Sequence, residues 1–170
     1  MGRHAASELQ VPWVTLGLIL LSLGGSLLAA LDKTISLDYA FSPADPSLIA
    51  AVFSLFLHAN IIHLLGNMVF LAAVGPRVES VAGRWPYATI YLLGGLVGVV
   101  AHWVVMRAIH SSVPLMGASG AIASCVGYCS VRFMNRKVPL APKVNVSVGT
   151  VTLAWVALQA LGAFVKIGQS

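Results

Sequence analysis

Residues 11–31 read VPWVTLGLILLSLGGSLLAAL, an apolar run of the roughly 20 residues that a helix needs to cross a bilayer. Ala29 and Ala30 before Asp32 loosely resemble a cleavage site. The run is nevertheless longer than the apolar stretch of a cleaved signal peptide, so it reads as an uncleaved first span. Four further spans are expected, at about 61–78, 86–106, 115–133 and 146–167, punctuated by glycine and proline. The apolar stretch 48–57 is too short to cross, so the segment 32–60 is expected to be a partly embedded loop or interfacial helix.

Composition agrees. Of 170 residues, 58% are hydrophobic and 9% charged, too apolar for a soluble domain that must cover its own core with polar side chains. The expected fold class is therefore an all-α, polytopic membrane helix bundle with about five transmembrane helices. It forms one domain over 1–170, opening with a short cytoplasmic N-terminus at 1–10. The net charge of +5 comes from dispersed Lys and Arg with no run of like charges, which argues against nucleic acid as a partner.

With the N-terminus in the cytoplasm, that side collects Arg3, Arg77, Arg84, Arg132, Arg136, Lys137 and Lys143, against Lys33, Arg107 and Lys166 outside. This is the orientation that the positive-inside rule selects. Trp13, Trp85 and Tyr87 are then expected at the inner interface and Trp103 at the outer one, as aromatic anchors. Cys125 and Cys129 lie at helical spacing in an apolar run and read as small packing residues. No disulfide or zinc framework is legible in them.

Ionisable and amide side chains inside hydrocarbon need either a partner or a task. His63 and Asn67 are four residues apart and share one helical face, whereas His58 falls off that face and suits a supporting role at the loop junction. The fourth span opens with Gly117, Ala118, Ser119 and Gly120, placing Ser119 about one turn below the outer surface, at a depth comparable to Asn67. A hydroxyl, an imidazole and an amide in one layer are the components of a nucleophile beside an oxyanion hole. Glycines at 117 and 120 would let the backbone there turn tightly and expose its amide. Alone, each feature has a structural explanation: interhelical hydrogen bonds for the histidines and asparagine, close helix packing for the Gly-x-Ser-Gly string.

Together these residues resemble those of rhomboid intramembrane serine proteases. His58, His63 and Asn67 reproduce the spacing of that family's second-helix motif, and Gly117 to Gly120 its Gly-x-Ser-Gly; Glu79, Gly83, Tyr87 and Gly127 are also similar. The resemblance implies peptide hydrolysis, with Ser119 as nucleophile and His63, Asn67 and the Ser119 backbone amide holding the oxyanion, and it implies no metal or organic cofactor. Substrates would be transmembrane proteins, entering sideways from the lipid bilayer and cut near the outer surface, with the fifth span, bearing Trp155 and Phe164, as lateral gate. A bacterial plasma membrane is the expected location.

The chain also departs from the family pattern. The resemblance implies a general-base histidine near the start of a sixth span, which would lie beyond Ser170. Ala123 stands where an aromatic residue is frequent, and the first-loop arginine motif is not recognisable. His102 and His110 are weak substitutes for the base, because a base must come within hydrogen-bond reach of the hydroxyl. Gly117, Ala121, Cys125 and Cys129 form a small-residue stripe expected to face lipid or another subunit without a sixth span, while Gly94 and Gly98 can pair within the bundle. The alternative expectation is a non-catalytic, rhomboid-like pseudoprotease that binds membrane clients.

Overall fold

The computed structural model describes residues 11–141, 144–150 and 152–154. The chain divides into two compact units, residues 1–125 and 126–170. The expected segment 1–10 and the gate residues Trp155 and Phe164 lie outside the described residues.

Among the described residues of the first unit, three helices are long and apolar enough to cross a membrane: α1 (Trp13–Leu31), α4 (Ile61–Ala82) and α5 (Arg84–Ala108). Each exposes large apolar side chains, among them Leu20, Leu27, Ile62, Val69, Val97 and Val104, on faces that a bilayer would cover. Helix α1 packs mainly on α4. Helices α4 and α5 are joined at Gly83, whose φ of +88° is a conformation that L residues rarely adopt.

The segment between α1 and α4 is more structured than an irregular loop. It contains α2 (Lys33–Tyr39), α3 (Leu48–Phe53) and a single 3-10 turn, Ser54–Phe56. Asp32 starts α2 by accepting from the Thr34 backbone N–H at 2.9 Å, and Ser47 starts α3 by accepting from the Ala50 N–H. Phe41, Ala51 and Leu55 then pack on Val99 of α5, with Phe56, Leu96 and Leu115 around them. The segment is thus anchored to the bundle by its own apolar face.

Helix α6 (Ser119–Phe133) begins in this unit. The fourth span was expected from 115, but residues 115–118 are not helical. Leu115 exchanges two backbone hydrogen bonds with Phe41, at 2.9 and 3.1 Å, and Gly117 has φ +137°, which no right-handed helix contains. Ser119 is consequently the first helical residue.

Glycine faces set the approach of α6 to α5. A Cβ built on Gly98 would lie 3.2 Å from Gly120 Cα, and one on Gly94 would collide with the Ser124 side chain. Ser124 Oγ donates across this contact to the Ile90 carbonyl at 2.9 Å. Gly117, Ala121 and Cys125 are buried within the unit rather than turned toward lipid, correcting the expectation for that stripe. Neither cysteine forms a disulfide.

Tyr87 needs a second correction. It is fully buried rather than an interfacial anchor, while Trp13 and Trp85 are exposed. The Thr15 hydroxyl reaches the Tyr87 hydroxyl at 3.4 Å.

In the second unit, β1 (Lys137–Ala141) pairs antiparallel with β2 (Val144–Ser147), with an irregularity between Pro139 and Ala141. Val138 and Leu140, like Val144 and Val146, recur at the period of two that suits a strand. The fifth span was expected from 146, yet 146 and 147 belong to β2 and helix begins at 148. Most of that expected span lies outside the described residues.

Candidate active site

The amino-terminal half of α4 presents the two predicted oxyanion residues on one face. Asn60 caps the helix by accepting from the His63 backbone N–H at 2.9 Å, fixing the first turn. One turn later Asn67 is buried, and its Nδ2 donates to no group among the described residues. A buried amide donor left unused inside a membrane bundle costs free energy, so its retention points to a task.

What these two side chains face is Gly117. A Cβ added there would lie 2.7 Å from His63 Cε1, 3.0 Å from His63 Nε2 and 3.6 Å from Asn67 Nδ2. The backbone two residues before Ser119 therefore runs directly over the imidazole and the carboxamide. Only glycine accommodates both that proximity and the positive φ.

The strand-like entry to α6 is held from the other side by the 32–60 segment. The Gly117 N–H donates to the Ser54 carbonyl at 2.9 Å, and the Ala118 N–H donates to His58 Nε2 at 3.5 Å. His58 Nδ1 lies 3.0 Å from Ser26 Oγ, which is 3.3 Å from the Phe56 carbonyl. These contacts assign a relay in which Ala118 N–H donates to Nε2, Nδ1–H donates to Ser26 and the Ser26 hydroxyl donates to Phe56. The relay requires a neutral ring. Burial, then the neighbouring His63, pushes the His58 pKa down to about 4, keeping it neutral.

The His58 and His63 rings meet edge-on, with centroids 5.3 Å apart. His58 thus links α1, the 32–60 segment and the residue before Ser119 without itself facing Gly117 as His63 and Asn67 do. No sequence signal singles out Ser26 or Ser54, because serines in apolar helices are common and their partners lie about 30 and 60 residues away.

Ser119 is exposed at the start of α6, and among the described residues its Oγ has no hydrogen-bond partner. Its backbone N–H belongs to the first helical turn, where no intrahelical acceptor exists, at the positive end of the helix dipole. Gly120 packs against Gly98 and the carbonyls of Gly94 and Gly95, so its glycine is explained by helix contact. His102 Nε2 lies 2.9 Å from the Val113 carbonyl and fastens the loop before the serine. His110 is exposed on the turn after α5, with φ +53°.

A family model described as Rhomboid domain matches residues 45–169. Presenilin-associated rhomboid-like protein A, mitochondrial, of Danio rerio is 30% identical over 113 residues, covering 65% of this chain and 30% of that protein. Rhomboid protease GluP of Bacillus subtilis (strain 168) is 37% identical over 105 residues, covering 58% of this chain and 20% of that protein. Presenilin-associated rhomboid-like protein, mitochondrial, of Bos taurus is 22% identical over 136 residues, covering 78% and 36%. The chain spans between 20% and 36% of the length of these relatives. With a family match over most of its length and membrane-spanning helices carrying the matched region, the chain is an integral membrane protein that belongs to the rhomboid family.

Proposed function

We propose that this chain acts in intramembrane proteolysis as a serine endopeptidase. Ser119 Oγ attacks the scissile carbonyl of a transmembrane segment, and a base takes the hydroxyl proton. The oxyanion that forms is held by the Ser119 backbone N–H, Asn67 Nδ2 and His63. The C–N bond then breaks, the leaving amine takes the proton, and water hydrolyses the acyl-enzyme. What carries the reading is the Asn67 amide, buried with no acceptor among the described residues, lying with His63 over the backbone just before Ser119.

The base in this scheme is a histidine of a further span, as the family resemblance implies, rather than His102 or His110. His102 Nε2 is occupied by the Val113 carbonyl. Substrates are transmembrane segments reaching the site from lipid, near the non-cytoplasmic surface of a bacterial plasma membrane.

One observation favours a second reading. Ser119 Oγ is exposed and without a hydrogen-bonded base among the described residues, as in a client-binding pseudoprotease. Labelling by a serine-directed fluorophosphonate distinguishes the two. The peptidase reading expects labelling of the native protein in membranes, abolished by Ser119→Ala and weakened by Asn67→Ala. No labelling, with no cleavage of any transmembrane substrate, would establish the pseudoprotease.

A further inference from the structure

One stripe of α5 runs past two cavities, the first apolar and the second of mixed polarity. Leu96, Val99, Val100 and Trp103 form a wall of an apolar cavity of about 410 Å³, closed on the other side by the 41–51 segment. Farther along, Met106, Arg107 and His110, with Ser111 and Ser112, line a second cavity of about 330 Å³, closed by Pro43 and Ala44. The α5 positions are spaced three and four apart throughout, so they follow one helical face from the first cavity into the second. At about 1.5 Å per residue, the stripe from Leu96 to Arg107 is roughly 16 Å long, close to half the thickness of a bilayer's hydrocarbon core. It therefore runs from near the midplane to the interface.

We propose that these cavities form a single phospholipid site, with an acyl chain in the apolar groove and the phosphate on Arg107 and the Ser111 and Ser112 hydroxyls. Among the described residues, Arg107 has no ion-pair partner. Three of the last four carbonyls of α5 already accept hydrogen bonds: Val105 from the Ile109 N–H, Met106 from the Ser111 N–H and Arg107 from the His110 N–H. Ser111 Oγ only accepts, at 3.5 Å from the Val113 N–H, which leaves its O–H to donate. A guanidinium and hydroxyl donors at the mouth of an apolar slot complement an anionic headgroup whose chain continues into lipid.

The groove also borders Phe41 and Ala51, which anchor the 32–60 segment, so an occupied site would brace that segment against α5. The site is separate from His63, Asn67 and Ser119 and does not depend on the peptidase reading.

The test uses the full chain, delipidated in detergent and titrated with dioleoyl phosphatidylglycerol, with retained lipid read by native mass spectrometry. One lipid should be retained, and Arg107→Gln should weaken its binding about tenfold, the loss expected for one charged hydrogen-bonded contact. Val100→Trp, which fills the groove from an exposed position, should reduce binding comparably at unchanged melting temperature. If Val100→Trp impairs folding, the Ser111→Ala/Ser112→Ala pair tests the headgroup contacts instead and should likewise weaken binding. A lipid brominated along its acyl chain should quench fluorescence in the parent chain, and less so in Trp103→Phe. Equal retention by the parent and Arg107→Gln would overturn the proposal. So would equal binding of inorganic phosphate and phospholipid, since the groove would then contribute nothing.

Discussion

The Glu79 carboxylate caps the amino-terminal end of α1 through Thr15: Oε2 accepts from the Thr15 backbone N–H and from the Thr15 hydroxyl, each at 2.9 Å, while Oε1 accepts from the Val14 N–H at 3.0 Å. Pro12 offers this helix no side-chain cap, so a residue 64 positions away supplies one. A buried carboxylate among backbone donors at a helix N-terminus is favourably placed. It also ties α1 to the last turn of α4.

Glu79→Ala should therefore destabilise the bundle by roughly 2–3 kcal/mol, because three donors lose a charged acceptor in a buried setting. Glu79→Gln should retain part of this. Thermal unfolding in detergent, followed by helix content, measures both. An unchanged midpoint for Glu79→Ala would mean that α1 is held by packing alone.

Gly117 should tolerate no side chain. Gly117→Ala places a methyl 2.7 Å from the His63 ring at a φ that alanine disfavours. Either the imidazole or the loop must move, so fluorophosphonate labelling of Ser119 should fall by at least about tenfold. Gly127, which has no neighbour within 4 Å of an added Cβ, is the control, and Gly127→Ala should retain parental labelling.

The His58 relay predicts a pH dependence. The ring titrates near 6.5 when unfolded and at about 4 when folded, so the unfolded chain binds more protons between those values. The contribution of His58 to stability is complete above about 6.5 and is lost as pH falls through about 4. Melting midpoints should decline across that window in the parent and decline less in His58→Gln. Parallel declines would place the titrating group elsewhere.

The α5–α6 contact predicts a coupled pair. Gly94→Ala collides with the Ser124 side chain and should cost about 1–3 kcal/mol, the usual range for overpacking. Combining it with Ser124→Gly should recover part of the loss. A double mutant no more stable than Gly94→Ala would show that the helices separate rather than collide.

Orientation is a further prediction, resting on the charge bias alone. Single cysteines introduced at exposed Asp45 and Arg84 should react with an impermeant maleimide in intact cells only at 45. Labelling at 84 instead would invert the topology and move the Ser119 end of α6 to the cytoplasmic side.

The spanning helices were legible because an apolar run of span length has few alternatives: 11–31 became Trp13–Leu31, and 86–106 became Arg84–Ala108. The second span runs to Ala82 rather than ending at about 78, and Glu79 in its last turn is buried as the cap of α1. Tyr87 was assigned to an interface because an aromatic near a span end usually lies there, yet its hydroxyl lies inside beside Thr15. The antiparallel pair 137–141 and 144–147 is hard to read from the sequence because its period-two pattern is short and interrupted by Pro139.

By itself the sequence determined that this protein belongs in a bilayer, where its main helices run, and that His63 and Asn67 share a face, because hydropathy and helical spacing are local properties. Only the tertiary structure decided that Gly117 crosses that face, that Ser54, Ser26 and His58 hold the serine-bearing turn, and that Glu79 closes α1. Those are contacts between segments remote in the chain, and their partners are selected by how the helices pack rather than by spacing along the sequence.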